Sequence, residues 1–356
     1  ENMTLLHKIY WVFKSGQPIM KPDPALVAKN FSKYRPFPGL PESFERSKSA
    51  TLAAAGDLMT VDGLENSQNY LYKEIKNFMF DADVSYGNLE SQLTEQPFDA
   101  LTFNENEGPP LCCSREQYKA LKGHEDKQYT VMHTACNHTM DMGEEGLRTT
   151  LSQLESDGIV DLGTHRREED SRKGKIIAVK GIKIGFVSAT FGLNGKQIPE
   201  GMEYSVNCID FHRKDREVDL SLLLDQIEDC RNEKTDFIIA SLHWGYEYEF
   251  FPRSEQQKLA HQIIEMGADT IIGHHSHVIQ PVEFYQSQRD SNRIAAIAYS
   301  LGNLTSPFSA PALVLSQILN LVFCKGVLDG KETTYLESVT TTPVVQLESG
   351  TDEEPK

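Results

Sequence analysis

Residues Ile271–Val278 read Ile-Ile-Gly-His-His-Ser-His-Val. Two β-branched apolar residues run into a glycine and then three histidines within four positions. The pattern predicts a strand ending in a loop loaded with imidazole. Neutral imidazole is the commonest side-chain metal ligand, and histidines two residues apart reach one pocket from an extended turn. A single histidine at a strand end is more often just solvated; three after an apolar strand favour a metal site. The same placement recurs. Asp57 follows the apolar run Thr51–Ala55, and Glu90 follows a strand opened by Asp83–Tyr86. Asn137-His138 follow Tyr129–Thr134, and His243 follows Asp236–Leu242. Strands pointing one way in a sheet bring their C-terminal ends to one edge, where α/β folds bind ligands. These residues can therefore converge with His275 and His277. Hydrophilic residues commonly follow strands, so one such position means little, but five with a Gly-His-His-x-His loop point to a site. Carboxylates, an amide oxygen and imidazoles make a mixed oxygen/nitrogen set suited to Mn, Fe or Zn. The expectation is one or two divalent transition metal ions. Two ions about 3.5–4 Å apart would clamp a phosphoryl group and supply a hydroxide in line with the leaving oxygen.

The elements that must position these residues follow from periodicity. A helix is predicted over Tyr70–Phe80, with Leu71, Ile75, Phe78 and Met79 on one face. Another is predicted over Glu144–Asp157, stopped by Gly158, and a strand over Ile159–Leu162. Lys175–Val179 and Ile182–Val187 alternate around Lys180-Gly181 and predict a hairpin. Asp215–Arg231 reads as a helix with a buried stripe of Leu220, Leu223, Leu224 and Ile227. Ser254–Met266 reads as a second one, closed by Gly267, and strand Thr270–Ile272 follows it. Val282–Tyr285, Ile294–Ser300, Leu313–Phe323 and Leu336–Val345 are predicted strands. Residues 94–127, rich in proline, glycine and mixed charge, read as loop or insertion. Alternating strands and helices give an α/β class. The predicted organisation is an N-terminal extension over 1–48, a main domain over 49–345 and a polar tail over 346–356. Six prolines break any long helix in the extension.

The chain of 356 residues has 39% hydrophobic and 24% charged residues, enough for a substantial core. Its net charge of -17 argues against nucleic acid or an anionic membrane as partner. It also means that an anionic substrate needs metal ions or a local basic patch. No apolar run reaches the roughly 18 residues of a membrane-spanning helix, and Ile9–Phe13 is too short for a signal segment. The expected location is the cytoplasm for the chain as given, or the cell exterior if an upstream segment has been removed. Six cysteines without C-x-x-C spacing suggest free thiols. Trp244, Tyr246, Tyr248, Phe250 and Phe251 form an aromatic cluster that suits a core, a lid or a stacking platform. No G-x-G-x-x-G follows the first strand, which disfavours hydride transfer.

In order, the chain carries Gly-Asp (57), Asn-Leu-Glu (88–90) and Asn-His-Thr-Met-Asp-Met-Gly (137–143). It continues with His-Trp-Gly-Tyr-Glu-Tyr (243–248), Gly-His-His-Ser-His-Val (273–278) and Tyr-Ser-Leu-Gly-Asn (299–303). This series resembles the CapA family of capsule and poly-γ-glutamate synthesis proteins, a branch of the calcineurin-like metallophosphoesterases, over roughly residues 50–345. The resemblance implies a four-layer α/β/β/α sandwich of two mixed sheets. It implies that Asp57 and His277 bind one metal, that Glu90 bridges, and that Asn137, His243 and His275 bind the second. His138 would be the general acid or transition-state stabiliser, oriented by Asp141. Asn88, Trp244, Glu247, His274 and Asn303 would contact substrate or support the ligands. The chain departs from the superfamily pattern at Met59, where a histidine is usual, and at Glu90, where Asp is usual. Cys136 stands where Asn is frequent in the family. Two functions are implied. One is a phosphoester hydrolase with a metal-activated hydroxide. The other is a non-hydrolytic protein that binds or assembles an anionic cell-surface polymer such as poly-γ-glutamate.

Overall fold

The computed structural model describes residues 5–19, 31, 36–96, 110–351 and 354–355. Its main elements, in chain order, begin with helix α1 (Leu5–Gly16), strand β1 (Glu45–Leu58), α2 (Lys76–Phe80), β2 (Val84–Leu89), α3 (Arg115–Leu121) and β3 (Val131–His133). Then come α4 (Gly143–Asp157), β4 (Val160–Leu162), β5 (Lys175–Val179), β6 (Ile182–Thr190), α5 (Ser221–Asn232) and β7 (Phe237–His243). The chain continues with α6 (Ser254–Met266), β8 (Thr270–His274), β9 (Val282–Gln286) and β10 (Ile294–Ala298). It closes with β11 (Asn303–Thr305), β12 (Leu315–Leu328) and β13 (Lys331–Val345).

The strands form two sheets, β13-β12-β1-β2-β3-β4, with β11 also on β1, and β9-β10-β8-β7-β6-β5. Both are mixed. The runs β1-β2-β3-β4 and β6-β7-β8-β10 are parallel, while β12, β13, β5 and β9 pair antiparallel. Side chains alternate across a strand, so each sheet has two apolar faces to cover. In β1, Leu52 and Ala54 join Tyr86, Val131, Phe186, Ile239 and Ile272 in a core between the sheets. Ala53 and Ala55 join Met79, Phe80, Tyr118, Leu121 and Leu154, from α2, α3 and α4, on the other face. The second sheet is covered in the same way. Val187, Ala240 and Ile271 cluster with Leu223, Ile227, Ile263 and Ile264 of α5 and α6. Fully burying each such aliphatic side chain is worth about 1.5–3 kcal/mol. The result is a four-layer α/β/β/α sandwich. No described helix is long and apolar enough to cross a membrane, and all six cysteines are free.

Several elements differ from expectation. Of the helix expected over Tyr70–Phe80, the first half is irregular turns and α2 starts only at Lys76. Tyr72 fixes this segment. Its buried ring packs edge-on against Phe80 and Tyr129, and its hydroxyl donates to the Leu121 carbonyl at 2.6 Å. Phe78, expected on the buried face, is 51% exposed. Helix α5 begins at Ser221, later than expected, because the Asp219 carboxylate accepts from the Ser221 N–H at 2.9 Å and sets the start. Its buried residues are Leu223, Gln226, Ile227 and Cys230, while Leu224 is exposed. The expected loop 94–127 holds α3, begun by a Ser114/Gln117 capping box, and residues 97–109 lie outside the described ones. The Lys180-Gly181 hairpin forms as expected, both residues having positive φ (48° and 76°).

Candidate metal centre

Sheet register brings the chemistry together. Asp57 of β1 pairs with Asn88 of β2 and with Asn303 of β11, and Asn88 pairs with His133 of β3. In the second sheet His243 of β7 pairs with His274 of β8. The two sheets meet where Asn88 Nδ2 donates to Asp57 Oδ1 at 2.9 Å and lies 3.4 Å from His243 Nδ1. His274 Nδ1 donates to Asp57 Oδ1 at 3.0 Å. The strand past Ile272 is tightly packed: a Cβ on Gly273 would lie 2.1 Å from the Tyr299 carbonyl oxygen and 2.7 Å from Trp244 Nε1. Gly273→Ala is therefore expected to destabilise by about 1–3 kcal/mol, read as a fall in Tm. The loop beyond is strained as well. His275 and His277 both have positive φ (88° and 58°), a region that non-glycine residues enter at a cost and often at functional sites.

Glu90 sits at the centre. It is buried and neither carboxylate oxygen has a hydrogen-bond partner. Its Oε1 lies 3.6 Å from His243 Nε2 and 3.9 Å from His277 Nε2. Donor atoms of Glu90, His243 and His275 cluster within 4.8 Å of one another, as do those of Asp57, Glu90 and His277. Glu90 thus belongs to both groups. His277 Nδ1 donates to Asn303 Oδ1 at 3.0 Å and lies 3.2 Å from Asp57 Oδ2, leaving Nε2 towards Glu90. His243 Nε2 lies 2.7 Å from Asn137 Oδ1, and the Asn137 amide donates to Asn194 Oδ1 at 3.2 Å. His275 Nδ1 is buried without a partner.

Electrostatics match this donor set. Burial lifts the Glu90 carboxyl to about 8, against the pull of His277. Burial opposes charge on Asp57 too, but hydrogen bonds from His274 and His277 outweigh it and hold Asp57 well below the carboxylate range. Burial, then neighbouring imidazoles, push His243 and His275 well below the usual histidine value, so both are neutral and carry lone pairs. Burial works against charge on His277, yet Glu90, Asp57 and Glu247 raise it to about 10. A buried carboxyl without a partner, beside the neutral imidazoles of His243 and His275, fits a divalent cation. The oxygen/nitrogen mixture fits a transition metal.

The remaining expected residues occupy distinct places. His138 Nδ1 contacts Asp141 Oδ2 at 2.6 Å, and Asp141 also accepts from the Leu111 N–H at 2.8 Å. His274 has both ring nitrogens engaged, the second by Tyr86 Oη at 2.8 Å, so it supports Asp57. Trp244 is buried, its ring edge-on to Phe211 at 5.7 Å and stacked 6.2 Å from the Tyr299 ring. Glu247, expected as a support, lies with His275 and His277 in a third donor group. Cys136 is a buried thiol 3.7 Å from the Glu90 carbonyl oxygen, pushed well up by burial, hence a neutral packing group. The sequence reading missed His133. It is buried, neither ring nitrogen has a partner, and its ring lies 6.1 Å from that of His274. Its signal was available: it is the next-to-last residue of the predicted strand Tyr129–Thr134, at the same edge as Asp57.

Comparison with known proteins finds relatives in capsule synthesis. The chain is 30% identical over 224 residues to the PGA biosynthesis protein CapA of Bacillus subtilis, covering 62% of this chain and 53% of that protein. It is 25% identical over 276 residues to the capsule biosynthesis protein CapA of Bacillus anthracis, covering 74% and 61% respectively. The chain therefore spans little more than half the length of these relatives. The crystal structure of the calcineurin-like phosphoesterase YfkN from Bacillus subtilis superposes with a TM-score of 0.45 at 13% identity, over 84% of this chain and 91% of that one. Residues 51–307 match the family model described as bacterial capsule synthesis protein PGA_cap, and the chain belongs to that family.

Proposed function

We propose that this chain is a metal-dependent phosphoester hydrolase of the capsule-synthesis family, acting on an anionic substrate. The observation that carries the reading is Glu90, a buried carboxylate without a partner, shared by two donor groups. In this reading Asp57, Glu90 and His277 hold one ion, and Glu90, Asn137, His243 and His275 hold the other. Divalent metal supplies Lewis-acid stabilisation to a phosphoryl group and to the attacking water. The chain's own residues do the rest. Asp57 is fixed by Asn88, His274 and the His275 N–H. Burial opposes charge on His138, but the hydrogen bond with Asp141 outweighs it and raises the imidazole, which favours its donating a proton or a hydrogen bond to the leaving oxygen. Phe191 packs on His275 at 4.4 Å and helps keep bulk water from that ligand.

A cleft of about 540 Å³ adjoins the loop after β7; Arg213, Lys214 and Arg253 line it together with Glu249 and Glu255, beside Tyr246 and Trp244. A run of stacked rings links it to the centre. Phe191 touches both His275 and His212, His212 stacks on Tyr246 at 4.4 Å, and the Arg253 guanidinium lies 3.4 Å over Tyr246. The test is hydrolysis of an aryl phosphate with added Mn²⁺, against the double variant His275→Ala, His277→Ala. The expected loss is at least about 100-fold; equal rates overturn the hydrolase reading. The relatives' names, which speak of capsule and PGA biosynthesis, favour a second reading. In it the same centre binds polymer carboxylates without hydrolysis. Polymer binding that survives excess chelator would exclude that role for the metal.

A further inference from the structure

We infer that Glu247 is an additional donor at the metal centre, beside His275 and His277, held in place by Trp11, so that the N-terminal helix is part of the metal centre. The inference rests on the metal-centre reading above. Glu247 lies in the loop after β7, at the rim, with its side chain 21% exposed. Its Oε1 lies 3.8 Å from His277 Nε2, and its donor atoms cluster with those of His275 and His277. Its other oxygen, Oε2, accepts the Trp11 indole N–H. The carboxylate is thereby divided: one oxygen is committed to α1 and the other is turned to the imidazoles. An indole suits this task because it donates one hydrogen bond and carries no charge. A lysine or arginine in its place would compete with a cation for the same carboxylate.

Helix α1 is fastened to the segment around Glu247 at several points. The Trp11 ring packs 5.9 Å from that of Tyr248. Lys14 is buried and pairs with Glu249 at 3.0 Å, and Arg253 holds the same carboxylate at 2.7 Å. Ile19 donates to the Tyr248 carbonyl at 2.7 Å and accepts from the Phe250 N–H at 3.0 Å. Tyr248 has positive φ (63°), so the loop is held in a conformation that it would not favour alone. On the far side, Tyr248 and Phe308 flank the His277 ring at 5.9 and 5.7 Å. Three carboxylates, Asp57, Glu90 and Glu247, thus surround His277.

The test is Co²⁺ titration of the chelator-treated full chain, followed by calorimetry and by the visible absorption of bound Co²⁺. Trp11→Phe keeps the ring on Tyr248 and removes the N–H; Glu247→Gln keeps the shape and removes the charge. One Co²⁺ equivalent is expected to weaken 10–100-fold in Trp11→Phe, with an altered spectrum, and at least as much in Glu247→Gln. The double variant is expected to lose no more than Glu247→Gln alone, because Trp11 acts through Glu247. If the wild type binds Co²⁺ and both single variants match its affinity and spectrum, the inference is overturned and the metal centre stands. If the wild type binds no Co²⁺, the metal-centre reading falls and takes the inference with it.

Discussion

Glu90→Gln is expected to separate metal binding from folding, moving the two in opposite directions. In the chelator-treated protein near pH 9, the variant should be more stable than the wild type, because a buried neutral amide costs less than a buried carboxylate that has lost its proton. Ionised Glu90 is buried with no hydrogen-bond partner at either oxygen. An amide of the same shape removes that charge. Near pH 6 the difference should shrink, because Glu90, lifted to about 8 by burial, is then itself neutral. With Mn²⁺ the order should reverse. A ligand at about 100 times its Kd stabilises by about 2.7 kcal/mol, a Tm rise on the order of 5 °C for a chain of this size. The variant should lose most of that rise, since Glu90 belongs to both donor groups. Metal-dependent turnover should fall by at least about 100-fold. Thermal melts with chelator and with Mn²⁺, at pH 6 and pH 9, read all of this. A variant destabilised in chelator at pH 9 would mean that Glu90 is held by a proton or a neighbour instead of awaiting a cation.

The sequence exposed the convergence of these residues because strand ends are legible. Asp57, Glu90, His243 and His275 follow or end apolar runs, and parallel pairing then sets Asp57 beside Asn88 and His243 beside His274. The hairpin at Lys180-Gly181 was legible for a local reason, its demand for two positive φ values. What lay hidden depended on contacts distant in sequence. Trp11 meets Glu247 across 236 positions, and nothing in Leu5–Gly16 itself marks that contact. The short helix α2 follows from Tyr72 packing on Tyr129, which overrode an apparent helical stripe. Two signals were present but passed over. The Ser114-x-x-Gln117 capping box announces α3 inside what reads as a loop. His133 ends a strand at the site's own edge, one position from the expected Thr134 boundary.

Metal affinity should rise with pH, by about tenfold per unit for each proton released on binding. Glu90 is raised to about 8, chiefly by burial. His277 is raised to about 10, because Glu90, Asp57 and Glu247 outweigh its burial. These two share one electrostatic field, so the pair must give up at least one proton before both can act as ligands. Asp57 is already ionised and His243 and His275 already neutral, so they release none. Stability of the metal-free chain should run the other way. A carboxyl raised from 4.5 to about 8 keeps a proton in the fold that the unfolded chain has lost, so stability falls as pH climbs through that interval. His277 acts with the same sign: its stabilisation is complete below 6.5 and is lost as pH rises through about 10. Between pH 6 and pH 9, then, the bare protein should weaken while its hold on Mn²⁺ tightens, and the Mn²⁺-induced gain in Tm should widen. Calorimetric titration in two buffers of different ionisation enthalpy would count the protons directly. A pH-independent affinity with no proton release would show that Glu90 and His277 are not both ligands.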